Sequence, residues 1–270
     1  MGKLYIGTSG YDYPEWKGVF YPENLAKAKF LEYYSECFNS LELNGTYYRM
    51  PTRQQMQRMA DRSGGRVKFS VKAFQDLTHS KVTQGVYIDP KRRAMLVTEF
   101  KKALDPLLEN HILLCVLFQF PESFHYETAE RHYLDALIKE ISGIPIVVEM
   151  RNTQWQNDHV YNALRQRNAG WCIADNPNLK NLIKLDYIST SDIAYIRFHG
   201  RNAKMWYKGD NVTRYDYLYS DDELQSFIEP IRDLLEHTQI VQLFFNNHAK
   251  AQATVNAKKI ELLLGKSSRL

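Results

Sequence analysis

Cysteine is scarce in this chain. Cys37, Cys115 and Cys172 are the only three, they lie far apart, and no two are spaced as CxxC. An odd, scattered set argues against a disulfide framework or a thiolate metal site, and it predicts a reduced, cytoplasmic protein. Long apolar runs are also missing: none reaches the ~18 residues that a membrane-spanning helix needs. The opening MGKLYIGTSG has no basic stretch followed by a long apolar core, and Ile6 stands where a myristoylation signal needs Ser or Thr. Charge of one sign is in short supply. A net charge of +4 over 270 residues is compatible with an anionic ligand but too small by itself to argue for nucleic acid.

Several familiar motifs are absent as well. No GxGxxG follows an apolar run, which argues against a dinucleotide-binding open sheet. Gly7-Thr8-Ser9-Gly10 is not a GxSxG elbow. Gly265-Lys266-Ser267 imitates the end of a P-loop, but Ile260 occupies the place of its first glycine. There is no HExxH, no Asp-rich loop and no low-complexity linker.

What is present is a core and a rhythm. Hydrophobic residues make up 44% of the chain and charged residues 24%, which allows a sizeable folded core. Short apolar runs recur at residues 4–8, 40–46, 67–73, 113–120, 144–151, 171–175, 193–199 and 240–247, and they read as buried strands. Segments with helical spacing lie between them at 26–36, 52–61, 90–109, 129–141, 160–167, 221–236 and 249–264, with a further short helix expected at 178–184. Thr52 is placed to cap its helix, and Asp221-Asp222-Glu223 sets acid at a helix start. Strands alternating with helices predict a parallel α/β sheet, and eight such units in this length predict a single-domain (β/α)8 TIM-like barrel over residues 1–270. Two long connections, 74–89 and 200–220, are expected to carry function.

Active sites of such barrels lie at the C-terminal ends of the strands. Those ends offer Thr8 and Ser9, Glu42 and Asn44, Lys72, Gln119, Glu149 and Arg151, Asp175, Arg197 and His199, and Asn246 and Asn247. The pairs Glu42/Asn44, Glu149/Arg151 and Arg197/His199 are spaced by two, so each pair shares one face of its strand. The expectation is a ring of polar groups in the barrel mouth. Glu42, Glu149, Asp175 and His199 are the candidate proton-handling groups. Asn44, Lys72, Gln119, Arg151, Arg197, Asn246 and Asn247 are the candidate substrate-binding groups, with Tyr11 and Trp155 as stacking rings.

The residues leave alternatives open. Glu42 and Glu149 suit glycoside cleavage, or each neutralises an arginine. Lys72 forms a Schiff base if it is buried among apolar groups, or clamps an anion if it lies beside Glu42 or Glu149. Glu149, Asp175 and His199, with His79 or His248, are a conceivable divalent-metal set, although nearby Arg151 and Arg197 count against it and no cofactor is expected. Tyr47, Trp206 and Tyr207 either stack on a ligand or anchor loops. Asn247 either binds a ligand or caps the last helix.

The blocks GTSGYDYPEWKGVFYP, ELNGTYYRMP, FSVKAFQDLTH, FQFPESF, VEMRNTQW, ADNP, YIRFHGR and FFNNHAKAQATVNA follow one another from residue 5 to residue 257. Together they resemble the DUF72 family of YecE-like proteins, a domain of unknown function. The resemblance implies a TIM-like barrel and carries no reaction with it. Asn152, Gln154 and Tyr11 depart from the His, Ser and Trp that the family pattern favours, whereas Glu149, Arg151 and Trp155 keep it.

From the residues, the expected ligand is a small anionic, phosphate-bearing, nucleotide- or sugar-like molecule, and the expected reaction is hydrolysis of a phosphate ester or phosphodiester. A carbohydrate enzyme, a binding barrel for a metabolite or nucleic acid, and a salt-bridged scaffold are the alternatives. No membrane partner is expected, and the oligomeric state is left open.

Overall fold

Eight short runs of apolar sequence become eight parallel strands because each is buried on both faces, one against the helices and one against the barrel interior. The computed structural model describes residues 1–80 and 88–265. The strands are β1 (Lys3–Ser9), β2 (Ser40–Leu43), β3 (Lys68–Lys72), β4 (Leu113–Gln119), β5 (Ile146–Glu149), β6 (Gly170–Asp175), β7 (Ile193–Phe198) and β8 (Ile240–Phe245). They pair in sequence order, and β8 closes onto β1 from Lys3↔Ile240 to Thr8↔Phe245. The α/β barrel expected from the sequence is therefore observed.

The described helices are α1 (Phe30–Cys37), α2 (Gly45–Tyr48), α3 (Arg53–Ser63), α4 (Pro90–Glu109), α5 (Thr128–Glu140), α6 (Asp158–Arg165), α7 (Asp221–Ser226), α8 (Ile228–His237) and α9 (Gln252–Leu263). Thr52 caps α3 in a reciprocal capping box with Gln55, as its position predicts. Asp89 caps α4 ahead of Pro90, whose missing N–H costs nothing at that position.

Three expectations are corrected. Residues 178–184 form turns rather than a helix; Leu182 bridges to Asn152, and the Asn176 side chain donates to Ile183 O at 3.1 Å. The helix expected at 221–236 breaks at Phe227 into α7 and α8. The last helix begins at Gln252, because Lys250 and Ala251 take positive φ values of 53° and 59°. The motif residues Lys266 and Ser267, and part of the 74–89 connection, lie outside the described residues.

The core has two parts. The larger lies between strands and helices and includes Trp16, Phe100, Trp155 and Trp171. The smaller fills the barrel with Cys115, Leu117, Val147, Cys172, Ile193, Tyr195 and Phe244. Ser70, Cys115 and Gln242 add a polar layer inside: Ser70 donates to Gln242, and Cys115 Sγ lies 3.4 Å from Ser70 Oγ. The barrel is thus plugged below and open only at the strand C-termini.

Candidate active site at the barrel mouth

Strand alternation decides what reaches the mouth. On β7, Ile193 and Tyr195 face the interior, so Arg197 and His199 follow on the same face. Gly200 then turns the chain with φ +81°; a Cβ there would stand 2.6 Å from Tyr217, so only glycine fits this exit.

Arg197 is the centre of the buried layer. Its Nη2 donates to Glu42 at 2.7 Å and its Nη1 donates to Glu149 at 2.5 Å. Tyr195 donates to the other Glu42 oxygen at 2.6 Å. Arg151 Nε lies 2.7 Å from Glu149 Oε1. His199 Nε2 stands 3.1 Å from the same oxygen, and Asn246 Nδ2 stands 3.0 Å from His199 Nδ1. Arg151 Nη2, which can only donate, lies 3.2 Å from the same Nε2, so a proton on Nε2 serves Glu149 and Asn246 while a bare Nε2 serves Arg151. Glu42, Glu149 and His199 are all 0% exposed, so no ligand reaches them without rearrangement.

Burial alone would raise the Glu149 pKa, but the charges of Arg151 and Arg197, with the His199 contact, override it and hold the carboxyl well below its ordinary range. His199 is pushed down to about 3, first by burial and then by Arg151 and Arg197 against the pull of Glu149. At neutral pH this layer is therefore a fixed set of charges around a neutral imidazole.

Above it lies an open cavity of about 280 Å³, lined by Lys72, His79, Gln119, Arg151 and Arg214 among polar groups and by Tyr47, Trp206, Tyr207 and Tyr215 among rings. Glu122 is the one carboxylate on its lining among the described residues, and it accepts from Tyr207 Oη at 2.9 Å. Lys72 bonds no carboxylate among the described residues. Its Nζ donates to Gln119 Oε1 at 2.8 Å and sits 4.2 Å from the centre of the Tyr47 ring. Burial, helped by the charge of Arg197 and opposed by Glu149 and Glu42, lowers Lys72 to about 7. His79 packs edge-on against Tyr47 at 4.9 Å, and burial and then Lys72 bring it down to about 4. Arg151 lies under Trp206, 5.5 Å from its ring. The Arg214 Nε is buried with no hydrogen-bond partner.

A family model described as a protein of unknown function, DUF72, matches residues 5–270. The chain belongs to the DUF72 family. A DUF72 family protein of Thermotoga maritima has the same structure with a TM-score of 0.89 at 35% identity, covering 97% of this chain and 99% of that one. One from Enterococcus faecalis shares the fold with a TM-score of 0.86 at 21% identity, covering 98% and 96%. Among sequence relatives, the UPF0759 protein YunF of Bacillus subtilis is 28% identical over 97% of this chain and 94% of its own length.

The mouth of this DUF72 barrel brings together Glu42, Glu149, Arg151, Arg197, His199 and Asn246, and beside them Lys72 and Gln119. Five other residues picked from the sequence lie elsewhere. Asp175 is three residues beyond the inward-facing Cys172 and so points outward, where it pairs with Arg201 at 2.8 Å and accepts from Tyr219 at 2.5 Å. Asn247 likewise faces outward; it donates to Tyr217 O and Asn256 Oδ1 and caps no helix. Trp155 is fully buried, stacks on Phe124 at 5.1 Å and donates its ring N–H to Phe124 O. Tyr11 turns its hydroxyl to the Met59 sulfur at 3.7 Å, and with Asn44 it lines a separate cavity of about 560 Å³ beside α3.

With Asp175 turned away, Glu149 and His199 lack the third member of the conceivable metal set, and among the described residues no three His, Cys, Asp or Glu side chains gather to hold a metal. Asn152, at the departure from the family pattern, caps the turn before Trp155 by accepting from Gln154 N at 2.9 Å. Three contributors escaped the sequence reading: Tyr195, Tyr215 and Arg214. Tyr195 was legible, since it precedes Arg197 by two on the same strand.

Proposed function

We propose that the mouth is an active site for a small phosphate-bearing substrate, and that the reaction is hydrolysis of a phosphate ester. The observation that carries this is the cation excess on the cavity wall: Lys72, Arg151 and Arg214 face one carboxylate, Glu122. Guanidinium forks match phosphate oxygens, and an Arg214 Nε buried without a partner is a donor awaiting an acceptor. Tyr47, Trp206, Tyr207 and Tyr215 suit a base or sugar ring attached to the phosphate.

In this reading the roles shift from the carboxylates to the cavity wall. Arg151 and Arg214 hold the phosphoryl group. Lys72, titrating near neutrality, donates a proton to the leaving oxygen. Neutral His79 accepts one from water. Glu42, Glu149, Arg197 and His199 form the rigid floor that aims Arg151. A glycoside hydrolase would need two carboxylates facing the ligand, and here both are consumed by Arg197.

The test is turnover of p-nitrophenyl phosphate, bis(p-nitrophenyl) phosphate and nucleoside monophosphates by the wild type, Lys72→Met and His79→Gln. Hydrolysis that falls at least tenfold in both variants supports the reading. Hydrolysis of none of them, or equal rates in all three proteins, overturns it.

A further inference from the structure

Among the described residues Lys72 is the one lysine lining the mouth cavity, and it forms no ion pair with a carboxylate there. The expectation that Glu42 or Glu149 would hold it as an ammonium is not met, because Arg197 and Arg151 take those carboxylates. Among the described residues its Nζ hydrogen-bonds the neutral Gln119 oxygen alone, and the Gln119 amide is oriented by donating from Nε2 to Phe120 O at 3.0 Å. The Tyr47 ring packs on one side. His79 packs edge-on against the same ring, its Nδ1 2.8 Å from Thr78 Oγ1. An amine at a strand C-terminus of a barrel, hydrogen-bonded to a neutral amide and flanked by arginines, is a setting in which a lysine acts as a nucleophile.

We propose that Lys72 forms a covalent imine with an aldehyde or ketone that also carries a phosphate, so that the substrate class of this site is a phosphorylated carbonyl compound. The proposal rests on the anion-binding part of the reading above and adds the carbonyl. Arg151 and Arg214 seat the phosphate. The Lys72 nitrogen lone pair attacks the carbonyl carbon, forming the C–N bond. The carbonyl oxygen then leaves as water, carrying one proton from the amine and one from solvent, and the iminium keeps a single N–H. The lowered proton affinity of Lys72, about 7, leaves a large share of free amine at neutral pH.

The experiment is reductive trapping. Wild-type protein at pH 7 is mixed with glyceraldehyde 3-phosphate or with unphosphorylated glyceraldehyde. Borohydride then delivers hydride to the imine carbon, and peptide mass spectrometry maps the secondary amine. The expected result is labelling of Lys72 at least tenfold faster than any other lysine, and at least tenfold faster with the phosphorylated aldehyde. Equal labelling of Lys72 by both aldehydes upholds the imine and overturns the phosphate site. Saturable binding of inorganic phosphate without preferential Lys72 labelling overturns the imine and leaves the phosphate site standing. Because the label is mapped in the wild type, the result does not depend on whether a Lys72 variant folds. Lys72→Arg serves as a check that labelling at that peptide disappears.

Discussion

Arg197 and Glu149 meet at 2.5 Å in the floor of the barrel mouth, and neither is open to solvent. Glu149 is the largest part of Arg197's compensation for losing water, and Arg197 is second to Arg151 in that of Glu149. Arg197→Met should therefore destabilise the fold by about 3–5 kcal/mol, because it takes the paired cation from buried Glu42 and leaves Glu149 with Arg151. Urea denaturation checks this. A loss under about 1 kcal/mol would mean that the pair is solvated in solution.

The same floor sets an acid limb. Glu149 is held below its ordinary value of 4.5, so its stabilising share is full above that pH and is lost as pH falls toward the folded value. His199 acts earlier. Its ring stays neutral down to about 3, whereas the unfolded chain takes up a proton near 6.5. Stability should therefore begin to fall below about pH 6.5, by up to ~1.4 kcal/mol per pH unit from this residue. His199→Gln should flatten the slope between pH 6.5 and 4.5 without abolishing it, because half-buried His79, lowered to about 4, contributes in the same window; denaturation across that range measures the change.

Lys72 predicts the same sign in a higher pH window. Its folded pKa of about 7 lies below the ordinary 10.5, so the folded state binds fewer protons than the unfolded chain between those values. Stability should rise with pH over that window, and the cost of the charge is fully present below it. Lys72→Met should raise the melting temperature at pH 7 while removing the lysine's chemistry. A lower melting temperature would show that the lysine is held as a stabilising ion.

Two tryptophans separate structure from site. Trp155→Ala should cost about 3–5 kcal/mol, since it empties a fully packed position beside Phe124. Phosphate affinity should be unchanged at temperatures where the variant is folded. Trp206→Ala removes the ring that covers Arg151 and should weaken phosphate binding several-fold with a smaller loss of stability. The two outcomes exchanged would move the ligand to the Trp155 side.

The barrel was legible because each strand is an apolar run of the right length with polar residues at its end. The central cluster was legible for the same reason: Glu42, Glu149, Arg197 and His199 sit at strand ends in inward register. Asp175 and Asn247 end their strands as polar residues, but which face they occupy follows only from counting on from an interior residue. Cys172 puts Asp175 on the outer face, and Phe244 does the same for Asn247. Trp155 was misread because its sequence gives its proximity to Arg151 but not its direction. Arg214 and Tyr215 come from the long 200–220 connection, whose path over the mouth is set by tertiary contacts such as Arg201 with Asp175 and Glu223. No local pattern encodes those contacts.

The most direct test of the account is calorimetric titration of inorganic phosphate into the wild type, Arg151→Met and Arg214→Met at low salt. The account predicts one saturable site, weakened at least tenfold in each variant and by added salt. Absence of saturable binding, or equal affinity in all three proteins, would contradict it.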